Sequence, residues 1–188
     1  MQYEIVFFDT ETTGLMKPAD SPLDNQPRIL EFGAIKLSYD PDTEEFTEVG
    51  RIEFMCNPGF GVPAIITKIT GIKQQDIDGK PEFGEHYPLL AGWMVGTSML
   101  VAHNLAFDCG MLNTELRHIG RVHHFPYPPT QICTVEASYH IKNRRMKLEQ
   151  LYKHYKGKDP QQTHRAIGDV EILVECFKEL VLEGAIEL

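Results

Sequence analysis

The chain has 188 residues, 42% of them apolar, which suffices for a full hydrophobic core and suits one domain over residues 1–188. Its 18 Lys and Arg against 27 Asp and Glu give a formal net charge of -9, which argues against a protein that coats nucleic acid by charge alone. No run of 18 apolar residues occurs and the N-terminal apolar stretch ends at Asp9, so neither a membrane-spanning helix nor a secretory leader is expected.

Residues 3–11 read as a strand, followed by a turn at Gly14. Residues 15–27, rich in Pro, Asp and Asn, read as a loop. Residues 28–37 and 46–55 read as two further strands joined through the hairpin segment 39–45, so the first third of the chain predicts an antiparallel meander. The second half alternates. A helix is expected over 84–96, a short buried strand over 98–102, a helix over 104–120, a shorter one over 147–155 and a long one over about 165–183. The last carries Ile167, Val170, Leu173, Val174, Phe177 and Leu180 at helical spacing. A meander followed by alternating helices and strands predicts an α/β fold with a mixed sheet flanked by helices. The cysteines, Cys56, Cys109, Cys133 and Cys176, form no CxxC pair, so neither a zinc knuckle nor a disulfide framework is suggested and a reduced, cytoplasmic setting is expected.

Three segments carry chemistry. In the first, FDTETTGL, Asp9 and Glu11 are two residues apart at a strand end, so both project on one side of the sheet. Two crowded, poorly solvated acids are tolerated where a cation holds them; the bland reading is a solvated strand end. In the second, HNLAFD, Asp108 falls in the first turn of a helix that follows a strand. A carboxylate there suits the helix dipole, and the carboxyl edge of a strand is also where α/β sheets place ligands. In the third, HRAIGD, Asp169 lies four residues before Leu173 at the border of a buried helix face. His164 falls on the loop entering that helix, either as a surface histidine or poised over a site. Four acids at element ends form an oxygen donor set suited to Mg²⁺ or Mn²⁺ rather than zinc, and two such ions form the clamp used for in-line phosphoryl displacement. A histidine can take the proton from the attacking water. The basic run at residues 142–147, KNRRMK, reads equally as a solvated face or a phosphate-contacting patch.

FDTETTGL, HNLAFD and HRAIGD, in this order and spacing, resemble the three motifs of the DEDDh exonucleases, and RILEFGAI resembles the family's second strand. The similarity covers nearly the whole chain. By pattern it is nearest the proofreading subunit of bacterial replicative polymerase and related stand-alone or phage exonucleases. The resemblance implies a ribonuclease-H-like fold with a mixed five-stranded sheet, an antiparallel meander followed by parallel strands. It implies two divalent ions, Mg²⁺ or Mn²⁺, held by Asp9, Glu11, Asp108 and Asp169, with His164 as general base. It also implies stepwise hydrolysis from the 3′ end of single-stranded DNA or a frayed duplex, releasing nucleoside 5′-monophosphates. Thr12, Gly14, Leu15, Asn104 and Phe107 match positions that contact the terminal nucleotide. Leu15 would press on its base and Phe107 would offer a stacking face, with core packing as the bland reading of either. Thr70 lies in a substrate-holding segment where the family often has a histidine. Exoribonucleases that trim tRNA or clear short RNA share these motifs, so RNA is an open alternative. So are a small phosphodiester substrate and a non-catalytic module that binds nucleic acid or a polymerase. A polymerase partner is open; after the last helix the sequence offers no further segment to tether one. No membrane contact is expected, and the oligomeric state is not specified.

Overall fold

A computed structural model describes residues 2–161 and 165–188. Five strands form one sheet: β1 (Tyr3–Thr12), β2 (Ile29–Asp40), β3 (Glu45–Met55), β4 (Met99–Ala102) and β5 (Thr130–Cys133), in the order β3-β2-β1-β4-β5. β1, β2 and β3 pair antiparallel, and β4 and β5 continue the sheet in parallel with β1. This is the mixed sheet expected. The meander extends further than anticipated, since β2 runs to Asp40 and β3 starts at Glu45, leaving a four-residue turn with Glu44 in the left-handed region. β5 carried no strand pattern of its own. It has four residues beyond a Pro-rich stretch, and it is held by its pairing with β4.

Eight α-helices are present among the described residues. They are α1 (Ala64–Thr70), α2 (Gln74–Ile77), α3 (Phe83–Met94), α4 (Leu105–His118), α5 (Thr134–Ala137), α6 (Tyr139–Lys142), α7 (Leu148–Lys156) and α8 (Ala166–Leu182). None is long and apolar enough to cross a membrane. All four cysteines are free.

The strand period divides the core. Odd-numbered Ile5 and Phe7 of β1, with Ile35 and Leu37 of β2, face α7 and α8 and pack on Leu151, Val170, Leu173 and Phe177. The Phe7 and Phe177 rings meet edge to face, 4.9 Å between centroids. Even-numbered Val6 and Phe8, with Phe32, face α3 and α4 and pack on Leu90, Met111, Leu112 and Leu116. β1 is thus buried on both faces through Phe8 and then runs out of apolar cover. Its next residues, Asp9 to Thr12, emerge at the carboxyl edge between the first turns of α4 and α8.

Candidate active site

Alternation along β1 sends Asp9 and Glu11 to the α8 side and Thr10 to the α4 side, and each meets an acid there. On the α8 side, Asp9, Glu11 and Asp169 present carboxylate oxygens that all lie within 4.8 Å of one another. On the α4 side, the Thr10 amide and hydroxyl donate to Asp108 Oδ1 at 3.1 and 2.7 Å. Asp108 therefore stands beside the trio rather than in it, one residue of β1 away and with one oxygen committed to the strand. It is 2% exposed, in the first helical turn as its sequence position suggested.

The electrostatics follow from the crowding. Burial, then the charges of Asp108, Glu11 and Asp169, hold the Asp9 carboxyl well above the usual carboxylate range. Burial, then Asp169, Glu31 and Asp108, push Glu11 up to about 8, with Arg165 the opposing influence. Burial also raises Asp108, while the hydrogen bonds from Thr10 oppose the rise. Among the described residues the clustered donors are carboxylate oxygens, close together and repelling one another, a set that fits hard divalent cations such as Mg²⁺ or Mn²⁺.

Two β2 residues that the sequence reading left without a role bring Asp169 to β1. Register places Gly33 opposite Asp9 and Glu31 opposite Glu11, on the same face. A Cβ on Gly33 would lie 2.6 Å from the Ile167 amide nitrogen and 2.8 Å from the Ala166 carbonyl carbon, so only glycine lets the first turn of α8 seat on the sheet. Glu31, fully buried, accepts from Arg165 Nε at 2.9 Å through both its oxygens, from Arg165 Nη2, and from the Ala166 amide at 3.0 Å. Arg165 also reaches Glu53 at 3.7 Å. Glu31 thus satisfies an end amide of α8 and ties the helix start to β2. An acid inside the otherwise apolar run of residues 29–35 was the available signal.

The remaining expected positions separate. Leu15 is 81% exposed and Gly14 has open space about it, so this turn presents a free apolar side chain beside the carboxylate edge. The Thr12 hydroxyl donates to the Gly14 carbonyl at 2.9 Å and shapes the turn. Asn104 precedes α4 in the left-handed conformation that asparagine tolerates, with its side chain exposed. Phe107 is half-buried and packs against the α4-side core. Thr70 is buried; its hydroxyl donates to the Ile66 carbonyl at 3.0 Å and accepts from the Ile72 amide at 3.1 Å, which ends α1. His164 lies outside the described residues.

The molecule thus sets clustered carboxylates at the carboxyl edge of a five-stranded mixed sheet. An exonuclease family model, RNase_T, matches residues 6–177. The chain belongs to this family, in agreement with its DEDDh-type 3′→5′ exonuclease motifs. It is 31% identical over 175 residues to the DNA polymerase III PolC-type of Clostridium perfringens, and 31% over 185 residues to that of Bacillus cereus. These alignments cover 93% and 95% of this chain but only 11% and 12% of those much longer proteins. Among solved structures, the fold matches the nuclease domain of 3′hExo, a DEDDh family member bound to rAMP. The TM-score is 0.73 at 16% identity, covering 97% of this chain and 93% of that one. It also matches exonuclease X in complex with 5′-overhanging duplex DNA, with a TM-score of 0.65 at 20% identity, covering 97% and 94%.

Proposed function

We propose that this chain is a metal-dependent exonuclease that removes nucleoside 5′-monophosphates from the 3′ ends of single-stranded DNA or frayed duplexes. The observation that carries this reading is the convergence of Asp9, Glu11 and Asp169 oxygens within 4.8 Å, with Asp108 held alongside by Thr10. Asp9, Glu11, Asp108 and Asp169 would hold two divalent ions, which when bound polarise the scissile phosphate and acidify a water. Leu15 and the Gly14 turn receive the terminal nucleotide, with the exposed leucine against its base. His164 serves as general base, taking the water's proton on a ring nitrogen. The protein's part is then position and charge rather than covalent chemistry. The PolC-type relatives favour DNA over RNA and a proofreading setting beside a polymerase.

The test is a product assay on 3′- and 5′-labelled DNA and RNA oligonucleotides, with Mg²⁺ and with EDTA. Mononucleotides released from the 3′ end, lost in EDTA and faster on DNA, are expected. Asp169→Ala should abolish turnover with the circular dichroism unchanged, and His164→Ala should slow it by about 10²–10⁴-fold. A folded Asp169→Ala protein that degrades DNA at the wild-type rate would falsify the site.

A further inference from the structure

A second feature of the carboxyl edge points to a ligand. A groove beyond the end of β4 is lined by His103, Asn104, Val135 and residues 145–148. Residues 142–147 bring Lys142, Arg144, Arg145 and Lys147, all exposed, to one place in a chain of net charge -9. This segment is pinned. His103 Nε2–H donates to the Met146 carbonyl at 3.0 Å, and its Nδ1 accepts from the Thr134 hydroxyl at 2.9 Å. Burial lowers the His103 ring to about 4, so at neutral pH it is an uncharged bridge between β4, α5 and the basic segment. Val135, Met146 and Leu148, each almost fully buried, give the groove an apolar wall. Arg145 Nη2 lies 3.5 Å from Asn104 Oδ1 and 2.7 Å from Glu136 Oε1. Asn104 is four residues, about one helical turn, before Asp108, so the groove opens next to the carboxylate edge.

We propose that this groove takes the nucleic-acid strand on the 5′ side of the scissile bond, with its phosphates on Arg144, Arg145 and Lys147 and a base against the Val135–Leu148 wall; this rests on the exonuclease reading above. Cations beside an apolar surface are what an unpaired strand requires, since charge tracks the backbone and the apolar wall takes a base face. A strand of several nucleotides fills both the carboxylate edge and the groove, whereas a mononucleotide ester fills only the first. Glu136 competes with the strand for Arg145, because the guanidinium must turn from that carboxylate to meet a phosphate.

Binding of a fluorescein-labelled 20-nucleotide DNA strand, followed by anisotropy in EDTA across a salt series, tests the groove without turnover. The variant Arg144→Gln/Arg145→Gln/Lys147→Gln, all at exposed positions, should bind at least about 10-fold more weakly at low salt. Its log–log salt slope should shrink by about 2, at roughly 0.7 per lost phosphate contact on a single strand. Glu136→Gln should tighten binding by a few-fold. With Mn²⁺ present, the triple variant's kcat/KM should fall more on the 20-mer than on the p-nitrophenyl ester of thymidine 5′-monophosphate. An unchanged dissociation constant and slope, or equal losses on both substrates, would overturn the groove. Failure of the exonuclease reading would show instead as absent wild-type turnover, while the EDTA binding series still decides the groove.

Discussion

On the α4 side of the sheet, Glu115 is 1% exposed and is surrounded by donors. Arg28 Nε and Nη2 reach it at 2.8–3.1 Å and the Ile29 amide at 2.8 Å. On the α8 side, Asp9 and Glu11 are crowded by other acids, and among the described residues no lysine or arginine forms an ion pair with them. The cation whose field reaches Glu11, Arg165, is bound by Glu31 and Glu53. Both regions set acid against the same sheet, but Glu115 has its countercharge in Arg28, whereas among the described residues Asp9 and Glu11 have no such ion pair. A buried carboxylate with its partners in place is a fastener, whereas acids that crowd one another, as Asp9 and Glu11 do, suit a bound cation. Glu31 belongs with Glu115 although it sits opposite Glu11 in register.

The widest separation of the two kinds comes from neutralising one of each. Glu115→Ala leaves Arg28 facing the interior without its partner. The cost should be about 3 kcal/mol, the lower end for a broken buried pair, because 17% of the Arg28 side chain still reaches water. Glu11→Gln removes an acid whose ionisation the fold opposes, so the metal-free protein at neutral pH should become more stable while Mn²⁺ binding weakens and nuclease turnover is lost. Urea unfolding in EDTA reads both signs. If Glu11→Gln lost as much stability as Glu115→Ala, the contrast between the two regions would collapse.

Part of this division was legible in the residues and part was not. The period of two along β1 put Asp9 and Glu11 on one side, and Asp108 fell in the first turn of its helix, as local patterning implied; Asp169, read as bordering a buried helix face, also lies in a first turn. Three acids converge and the fourth is held by Thr10, a detail that depends on which face of β1 meets α4. Glu31 was hidden because its partner, Arg165, is 134 residues away, and no local period reports such a pairing. The short helices α1, α2, α5 and α6 have four to seven residues, too few to show a 3.6-residue period. β5 was missed for the same reason, since its strand character comes from β4.

A smaller effect should come from the seat of α8. In Gly33→Ala the new methyl meets backbone atoms of Ala166 and Ile167, which cannot turn aside as a side chain would. The helix start must rise from the sheet and carry Asp169 with it. A stability loss of about 1–3 kcal/mol is expected, as for overpacking elsewhere. A weaker Mn²⁺ affinity should accompany it, measurable by calorimetry. Loss of stability with Mn²⁺ affinity unchanged would mean that Gly33 serves packing alone and that the trio does not depend on how α8 seats.

The smallest effect is a pH slope, and its sign distinguishes the two regions without any substitution. Glu11 is raised from its ordinary value to about 8 in the folded chain, so between about pH 4.5 and 8 the folded state binds more protons at this site than the unfolded state. Stability from this group is then fully present at the acidic end of that window and is lost as the pH rises through it. Asp9, displaced in the same direction for the same cause, adds to the slope. In EDTA the melting temperature should fall by a few degrees from pH 5.5 to 8, at about 2–4 °C per kcal/mol for a chain of this size. Millimolar Mn²⁺ should reverse the fall at pH 8, because an ion that binds only the folded state supplies the missing countercharge. In Glu11→Gln the EDTA slope should flatten and the rescue by Mn²⁺ should shrink. A wild-type protein whose melting temperature in EDTA rises over that range would show that Asp9 and Glu11 are satisfied by the protein itself, as Glu115 is.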